Sequence, residues 1–360
     1  MLHAIVMAGG SGTRFWPASR AHLPKQLLPL AGKQSLLEDT VARMEGLVPA
    51  ERTLVVTSAR LEDVVRHQLP NVPPSGIVGE PCKRDTAPCV ALAALLVSRH
   101  DPDATMAVMP SDHVIRPEQA FRDAIAQAAA IVDENPQRLV TFGIPPTYPA
   151  ESFGYIERGD AVADASGAAR SYAVRRFREK PPASVAQEYL DAGTFLWNAG
   201  IFVWKAATIL QAMRERQPAC MTHLDAIVRS WDTPDRQRVF AEEFAAIKGI
   251  SIDYAVLEHA TDVAVIEAPF TWDDLGGWSA VARQRGADAD GNTISGKHLG
   301  ITTTNSVVQT PGDHLVVTIG LENILVVHTP DATLVADRSS EEAVRQVVSE
   351  LESRGWNEYL

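Results

Sequence analysis

Three glycines lie in a seven-residue segment that follows the first apolar run of the chain, Ala8-Gly9-Gly10-Ser11-Gly12-Thr13-Arg14. Glycine lets backbone N–H groups come close to a ligand, so such a segment can form an anion-binding nest. It is not a dinucleotide fingerprint, because Phe15 stands where the third glycine belongs, and it lacks the Gly-Lys-Ser/Thr of a P-loop. The segment predicts either an anion site or only a tight turn between a strand and a helix.

A second cation follows shortly after the glycine segment, in Pro24-Lys25-Gln26. A guanidinium binds phosphate oxygens in pairs, whereas an ammonium acts as a point charge. Arg14 and Lys25 together could therefore hold a polyphosphate against the glycine-rich backbone. The alternative is that both are ordinary solvated cations on the surface.

Two aspartates far apart in the chain each follow an apolar run that is typical of a buried strand. Asp112 comes after residues 105–109, and Asp274 comes after residues 263–267. Ligands of an open α/β sheet bind outside the carboxyl ends of its strands, so we expect both side chains to converge there. Two carboxylates facing a triphosphate suit Mg²⁺, which takes few protein oxygens. The alternatives are that Asp112 only caps a helix or turn, and that the adjacent Asp273 takes the place of Asp274.

Short apolar runs alternate with helical patterns through the first half of the chain. Four of these runs predict buried strands, at residues 2–7, 53–57, 105–109 and 139–142. Three helix starts are marked by capping residues or proline, at the Ser35-Leu36-Leu37-Glu38 capping box, at Asp85 and at Pro117. Alternating strands and helices predict an α/β fold, with a doubly wound, mostly parallel sheet and helices on both faces.

The second half of the chain has a different pattern. Longer strands are predicted at residues 172–178 and 195–203, with a helix at 183–191 between them. Helical patterns then cover residues 205–260, and a last strand at 263–267 precedes the Asp274 segment.

The composition changes after Gly286 to short pieces rich in Thr, Val, Asn and Gly, separated by turn pairs. This change predicts two domains, residues 1–285 and a small β-rich domain of residues 286–360. The terminal helix, about residues 340–353, carries an apolar stripe made of Val344, Val347, Val348 and Leu351. Such a stripe must pack either on its own core or on a second subunit.

The composition excludes several classes of protein. The 360 residues suggest about two domains, and 46% hydrophobic and 22% charged residues are typical of a globular protein. The longest apolar run, residues 90–97, is far shorter than the ~18 residues of a membrane span. We expect no signal peptide, because no basic stretch precedes the first apolar run. The net charge of −12 argues against nucleic-acid and anionic-membrane partners.

Cysteine usage indicates the compartment. Cys82, Cys89 and Cys220 are sparse and odd in number, so we expect no disulfide framework and a cytoplasmic protein.

Seven further segments follow the glycine and lysine motifs in order: Arg84-Asp85-Thr86-Ala87-Pro88, Pro110-Ser111-Asp112-His113, Phe153-Gly154-Tyr155-Ile156, Phe177-Arg178-Glu179-Lys180-Pro181, Trp197-Asn198-Ala199-Gly200-Ile201, Ser251-Ile252-Asp253-Tyr254 and Trp272-Asp273-Asp274-Leu275-Gly276. The ordered set resembles the sugar-1-phosphate nucleotidyltransferases, and in particular the mannose-1-phosphate guanylyltransferases, over nearly the whole chain. Bacterial relatives often carry a fused cupin isomerase domain. Since this chain ends at Leu360, it is similar to the short, single-function form.

The resemblance implies an enzyme that converts GTP and α-D-mannose 1-phosphate to GDP-mannose and diphosphate. It implies a Rossmann-like nucleotide-diphospho-sugar transferase domain, a β-helix-like C-terminal domain and a homodimer. It also implies that Asp112 and Asp274 hold Mg²⁺ and act in catalysis with Arg14 and Lys25.

The binding residues are likewise implied by the resemblance. Those for the nucleotide are Ala8, Gly9, Gly10, Ser11, Gly12, Thr13, Arg14, Lys25, Asp85, Thr86, Ala87 and Asp112. Those for the sugar phosphate are Gly154, Tyr155, Glu179, Lys180, Asn198, Gly200 and Asp253.

Three alternatives stay open at this point. Asp85 stands where the family usually has Asn, and it either accepts hydrogen bonds from guanine or only caps its helix. The same chemistry could serve another sugar 1-phosphate or another nucleoside triphosphate. A non-catalytic nucleotide-sugar sensor would be expected to lack Arg14, Lys25 or an aspartate, and all of these are present.

Overall fold

The computed structural model of the protein describes residues 1–10, 12–162 and 169–360. Its strands are β1 Leu2–Ala8, β2 Thr53–Ser58, β3 Ile77–Glu80, β4 Thr105–Pro110, β5 Val114–Arg116, β6 Leu139–Ile144, β7 Tyr155–Ala161, β8 Ser171–Arg178, β9 Phe195–Lys205, β10 Val263–Glu267, β11 Thr271–Asp273, β12 Thr293–Ser295, β13 Lys297–Ile301, β14 Val307–Gln309, β15 Leu315–Ile319, β16 Ile324–His328 and β17 Thr333–Asp337.

The α-helices are α1 Leu36–Ala42, α2 Glu62–Gln68, α3 Thr86–Ser98, α4 Glu118–Glu134, α5 Ala183–Ala192, α6 Ala206–Arg216, α7 Pro218–Arg229, α8 Arg236–Ala246, α9 Ile252–Ala255, α10 Trp278–Arg285 and α11 Val344–Ser353. Short 3-10 turns lie at Thr13–Phe15, Lys25–Leu27, Ala50–Arg52, Ala59–Leu61, Pro74–Gly76, Leu257–His259, Arg338–Ala343 and Asn357–Tyr359. Across the described ranges, none of the helices combines the length and apolar character needed to cross a membrane.

The large sheet has nine strands in the order β3-β2-β1-β4-β9-β6-β10-β8-β7. Parallel pairing joins β3, β2, β1 and β4, and also joins β6 and β10. β9 and β8 pair antiparallel with their neighbours, so these two run against the other seven. The predicted α/β sheet with mostly parallel strand directions is confirmed.

Burial explains why the first strands read as unbroken apolar runs. Ala4, Ile5 and Val6 of β1 are fully buried, as expected for a parallel strand covered on both faces. Helix α3 is buried along nearly its whole length, and it packs against α6, α7 and α9 in one large core. Helix α4 packs against β4, β6 and β9.

The chain forms two compact units that are interleaved in sequence. The first contains residues 1–9, 41–111 and 115–272, and the second contains residues 10–40, 112–114 and 273–360. The glycine segment and Asp112 thus supply residues to the second unit, which sequence composition alone did not indicate. The predicted boundary between residues 285 and 286 stays a prediction.

The C-terminal strands are stacked as turns of a parallel coil. β12, β14 and β16 pair parallel in one small sheet, β13 and β15 pair parallel in another, and β17 closes the first sheet antiparallel to β16. Asn292 ties successive turns together, because its side-chain amide donates to the Thr303 carbonyl at 2.8 Å and accepts from the Ser306 N–H at 3.0 Å. This arrangement confirms the predicted β-helix-like region.

Local signals in the sequence located several elements correctly. The capping box at α1 forms, since the Ser35 N–H donates to Glu38 at 2.7 Å and the Glu38 N–H donates to the Ser35 hydroxyl at 3.2 Å. The terminal helix begins at Val344, after a 3-10 turn, rather than near residue 340. Strands β3 and β7 and helix α2 were not predicted.

Candidate active site

The ammonium of Lys25 lies at the centre of the charged residues in the second unit. Its Nζ donates to Oδ2 of Asp112 at 2.8 Å and to the backbone carbonyl of Asp274 at 2.5 Å. The Lys25 side chain is only 8% exposed. A buried ammonium needs such partners, because desolvation of an unpaired charge is costly. The structure thus brings together Lys25, Asp112 and Asp274. Arg14 lies near Asp274 as well, because a Cβ on Gly276 would stand 3.4 Å from Arg14 Nη1 and 3.5 Å from Asp274 Oδ1.

Gly12 is required by this arrangement for two separate reasons. Its φ of +59° lies in the left-handed region, and a Cβ at this position would come within 2.3 Å of the Lys25 Cβ. The Gly12 carbonyl accepts from the Ser19 hydroxyl at 2.8 Å, and the Gly10 carbonyl accepts from the Gln26 amide at 3.1 Å. Ser11, a predicted nucleotide-binding residue, lies outside the described residues.

Arg14 is fixed by two contacts within the same unit. Its Nη1 donates to the Gly276 carbonyl at 2.8 Å, and its Nε lies 3.2 Å from Oε2 of Glu342. Thr13 and Arg14 belong to a 3-10 turn against which helix α11 packs. Sequence reasoning missed Glu342, because no motif marks it.

The two predicted metal ligands differ in electrostatic surroundings. Burial acts to raise the pKa of Asp112, but the Lys25 ammonium and His113 outweigh it and hold the pKa below its usual value. Burial raises the pKa of Asp274, and the negative charges of Asp273 and Asp112 add to this effect against the charge of Lys25. The two carboxylates therefore interact, and a further cation between them would relieve their repulsion.

The neighbouring carboxylate of Asp273 is engaged elsewhere. It accepts from the Leu275 N–H at 2.8 Å and from Arg283 and Gln284 at 3.3 Å each. Leu275 adopts a φ of +46°, a strained conformation that fixes this turn. These contacts favour Asp274 over Asp273 as the ligand.

The donor set of Asp112 and Asp274 fits Mg²⁺ better than a transition metal. Within the described ranges, no group of three or more His, Cys, Asp and Glu side chains is placed to hold a metal. Mg²⁺ is usually bound through one or two carboxylates together with substrate phosphates, so it does not need such a group.

Asp85 caps helix α3 in the first unit. Its carboxylate accepts from the Thr86 N–H at 2.8 Å, while the Thr86 hydroxyl accepts from the Ile252 N–H at 2.9 Å and the Ala87 N–H donates to the Ile250 carbonyl at 3.0 Å. The backbone of Asp85 has φ +67° and ψ −172°, a region that non-glycine residues rarely adopt. Of the two open roles, the structure therefore shows the cap.

We expect Asp85→Ala to lower the free energy of unfolding by about 0.5–2 kcal/mol, because the α3 cap is lost. The cap orders the helix for any base, so kcat/KM should fall equally for GTP and ATP. Thermal melting and steady-state rates with both nucleotides measure this. Asp85→Asn, which keeps the cap acceptor, is the matched control, and a selective loss with GTP would contradict the prediction.

The predicted sugar-phosphate residues also gather in the first unit. Asn198 accepts from the Thr141 hydroxyl at 3.0 Å and donates to Asp253 at 3.1 Å. A Cβ on Gly154 would lie 2.4 Å from Oε2 of Glu179, so glycine is needed beside this carboxylate. These contacts form a polar cluster from separate elements of the chain.

The remaining predicted sugar residues lie on strands and turns of the same unit. Tyr155 is fully buried at the start of β7. Gly200 has a φ of +67° within β9, and its N–H donates to Asn198 at 3.2 Å. Lys180 is half exposed and pairs with Glu179.

Burial raises the pKa of Asp253 to about 7, and the charge of Glu179 adds to the shift. In the unfolded chain the same carboxyl ionises near 3.8, so the protein should lose stability as pH rises through about 7. We expect Asp253→Asn to reduce this loss by on the order of 1–3 kcal/mol between pH 4 and 8. Denaturant unfolding of both proteins across this range provides the measurement, and parallel pH curves would refute it.

The predicted site residues fall into two groups. The second unit contains Gly10, Gly12, Thr13, Arg14, Lys25, Asp112 and Asp274, and the first unit contains Ala8, Gly9, Asp85, Thr86, Ala87 and the seven sugar-phosphate residues. Glu80, at the end of β3, was not predicted although it is a buried carboxyl in the first unit. A Glu at the end of an apolar run, four residues before Arg84, was the available signal.

Family models match most of the chain. The model for nucleotidyl transferases matches residues 3–290, and the one for the mannose-phosphate isomerase/GMP-like β-helix domain matches residues 296–351.

Individual proteins resemble the chain over nearly its whole length. The xanthan biosynthesis protein XanB of Xanthomonas campestris pv. campestris is 40% identical, covering 98% of this chain and 74% of the relative. The mannose-1-phosphate guanylyltransferase ManC of Salmonella typhimurium is 38% identical, covering 99% of this chain and 75% of the relative. A crystal structure described as mannose-1-phosphate geranyltransferase from Thermus thermophilus matches with a TM-score of 0.86 and 34% identity, covering 98% of this chain and 99% of that one.

Proposed function

The chain belongs to the nucleotidyl transferase family and, within it, to the mannose-1-phosphate guanylyltransferases, and we propose on that basis that it makes GDP-mannose and diphosphate from GTP and α-D-mannose 1-phosphate. An oxygen of the sugar phosphate attacks the α-phosphorus of GTP. The bond between this phosphorus and the leaving oxygen breaks, and diphosphate departs with the electron pair. Since the attacking group is already an anion, no protein nucleophile is required.

The observation that carries this proposal is the buried ammonium of Lys25 between the Asp112 carboxylate and the Asp274 carbonyl. The ammonium is a fixed positive charge on a side chain that packs against Gly12, and it lies in the same unit as Arg14. Catalysis of phosphoryl-type transfer depends mainly on positioning and on stabilising charge. We assign Lys25 and Arg14 to the charge that develops towards the leaving diphosphate.

We also propose Mg²⁺ as the cofactor, held by Asp112 and Asp274. When bound, the ion neutralises phosphate oxygens that would otherwise repel the attacking anion. Lys25 serves the same site, because its ammonium keeps Asp112 ionised. His113 supports this role from 3.8 Å when protonated.

In the first unit, we assign the sugar phosphate to the polar cluster around Asn198. Glu179 accepts from sugar hydroxyls, and Lys180 pairs with the phosphate. The Asn198 amide, oriented by Thr141 and Asp253, can both donate and accept.

A diphosphate-release assay tests the proposal with four nucleoside triphosphates and several sugar 1-phosphates. Turnover that is highest with GTP and mannose 1-phosphate supports it. Highest turnover with another pair would identify a transferase for that sugar or nucleotide. Binding without turnover of any pair would instead identify a nucleotide-sugar sensor.

We propose a cytoplasmic protein without nucleic-acid or membrane partners. The three cysteines are free thiols, as expected in a reducing compartment, and the net charge of −12 disfavours polyanions.

We further propose a homodimer, formed through the apolar face of β13 and β15. Five large side chains of this face are each about half exposed: Leu299, Ile301, Leu315, Val317 and Ile319. The parallel register sets Leu299 beside Val317 and Ile301 beside Ile319, so the face is continuous. By contrast, the stripe on α11 packs in its own core, where Val344 and Leu351 are buried. A second copy of the same face is the apolar partner that symmetric dimers use.

Light scattering should therefore show a dimer at micromolar concentration, and Val317→Lys with Ile319→Lys should shift it to the monomer. The free energy needed to bury two lysine charges in an apolar interface would exceed the free energy that association of the two copies provides. Val64→Lys, which changes an exposed valine on α2, is the matched control and should leave the dimer intact. A monomeric wild-type protein would overturn the proposal.

A further inference from the structure

A carboxylate from the C-terminal part of the second unit holds the start of helix α10. Oε2 of Glu341 accepts from the Ser279 N–H at 2.8 Å, across 62 positions of the chain. The first N–H groups of a helix have no partner within the helix, so an acceptor placed there stabilises its start. Glu341 is therefore the cap of α10, although it is distant in sequence.

Gly277 makes this distant cap both necessary and possible. It stands directly before α10, where Ser, Thr, Asp or Asn would usually supply the cap, and it has no side chain that could do so. A Cβ at Gly277 would lie 3.0 Å from the carboxyl carbon of Glu341, so the glycine also leaves room for the carboxylate.

The 3-10 turn that carries Glu341, Arg338–Ala343, is itself anchored. Its backbone is tied to the parallel coil, because the Arg338 N–H donates to the Asn323 carbonyl at 2.8 Å. The Arg338 guanidinium donates to the Asn305 carbonyl and to the Ser279 hydroxyl, both at 3.2 Å. The turn thus holds Ser279 through its side chain as well as through its backbone N–H.

The capped end of α10 is close in sequence to Asp274, the proposed metal ligand. Ser279 follows Asp274 by five positions. Two further contacts hold the segment between them, since Lys25 donates to the Asp274 carbonyl at 2.5 Å and Arg14 donates to the Gly276 carbonyl at 2.8 Å. Lys25 and Arg14 already have roles in the proposed transfer, whereas the carboxylate at the far end of the segment has none.

The conformation of this segment depends on such support. Leu275 has a φ of +46°, and a strained backbone of this kind persists only where the surrounding contacts impose it. The side chains of Leu275 and Trp278 are buried in the apolar core of the unit, which keeps α10 in place. Apolar contacts are not directional, so the hydrogen bond to Glu341 is what fixes the direction of the first turn of α10.

We propose that Glu341 is a positioning residue for Asp274. By capping α10, it sets the backbone from which the Asp274 carboxylate reaches Mg²⁺. This inference rests on the proposed function and on Asp274 as a ligand of the metal. It gives the C-terminal β-rich region a part in the catalytic site, in addition to the proposed contact between two copies.

The test measures metal affinity without turnover. Mn²⁺ is titrated into the protein together with α,β-methylene-GTP, an analogue that cannot react, and free Mn²⁺ is followed by electron paramagnetic resonance. Glu341→Ala should raise the dissociation constant of Mn²⁺ by about 10-fold, because residues that orient metal ligands typically contribute that much to affinity. Glu341→Gln keeps an acceptor for the Ser279 N–H and should bind Mn²⁺ nearly as well as the wild type. Glu350→Ala, which removes an exposed glutamate paired with Arg354 on α11, is the matched control and should leave the affinity unchanged.

Two double variants show whether Glu341 acts through Asp274. In a protein that already carries Asp274→Asn, the loss of Glu341 should weaken Mn²⁺ binding no further. Combining Glu341→Ala with Gly277→Ser places a hydroxyl acceptor directly before α10, and this local cap should restore much of the affinity.

Wild-type affinity for Mn²⁺ in a folded Glu341→Ala protein, with or without a lower melting temperature, would overturn the inference and leave Glu341 as a cap that only stabilises α10. A loss that recurs in full on the Asp274→Asn background would also overturn it, because Glu341 would then act by another route. If Glu341→Ala does not fold, Glu341→Asp shortens the side chain by one methylene, keeps the charge and should raise the same dissociation constant.

Failure of the proposed function is recognised separately. If the wild-type protein binds no Mn²⁺ beside the analogue, both the metal assignment and this inference are wrong, whereas diphosphate release still tests the transfer itself. If the wild-type protein binds Mn²⁺ but releases no diphosphate from any substrate pair, the transfer is refuted, and the Mn²⁺ affinities of the variants still decide the role of Glu341.

Discussion

Replacing Lys25 with methionine should lower kcat by about 10³-fold or more, the largest loss expected from a single change in this protein. Loss of one preorganised charge typically costs about 10²–10³ in rate. Here the Asp112 carboxylate also loses its 2.8 Å partner, and the Asp274 carbonyl loses its donor. Methionine fills a similar volume, so the effect should arise from the charge rather than from a cavity.

Single-turnover rates with pre-bound GTP measure the chemical step for this variant. Lys33→Met, which changes an exposed lysine in the same unit, is the matched control and should behave as wild type. Lys25→Arg keeps the charge and should recover part of the rate. A folded Lys25→Met enzyme within tenfold of the wild-type rate would contradict the role assigned to this ammonium.

Much of the fold could be predicted from local patterns. Strands β1, β2, β4 and β6 are unbroken apolar runs because both faces of the sheet are covered, and the Ser35 capping box uses only neighbours in sequence. Strand β3 was not predicted, because its four residues, Ile77–Glu80, are too few to show the alternation of apolar and polar residues that marks a strand. Strand β7 includes charged and glycine residues, which mask its pattern.

The sequence predicted which residues belong to the site, but it did not predict the contacts that they make with one another. The sequence motifs indicated Lys25, Asp112 and Asp274, yet no spacing predicts that the ammonium joins one carboxylate and one backbone carbonyl. The pairing of Arg14 with Glu342 spans most of the chain and depends on the packing of α11. Glu80 was missed because one Glu at the end of a short apolar run is a weak signal in the sequence, and its burial becomes visible only in the structure.

At limiting Mg²⁺, Asp112→Asn and Asp274→Asn should each lower turnover by about 10²–10³-fold. Asparagine keeps the size of the side chain but removes a full negative charge, and a hard cation prefers anionic oxygen. Folding should stay largely intact in both variants. Activity titrated against Mg²⁺ measures the effect, and raised Mg²⁺ should restore part of the activity in each variant.

The double variant distinguishes one shared ion from two independent carboxylates. If both side chains hold the same ion, the second substitution should cost little beyond the more damaging single change. If the fold-losses in turnover of the two single variants multiply in the double variant, Asp112 and Asp274 have separate roles. Asp273→Asn is the comparison for charge alone, because that carboxylate is engaged by Leu275, Arg283 and Gln284. Its Mg²⁺ dependence should match the wild type, and near wild-type turnover of Asp112→Asn and Asp274→Asn at limiting Mg²⁺ would refute the metal assignment.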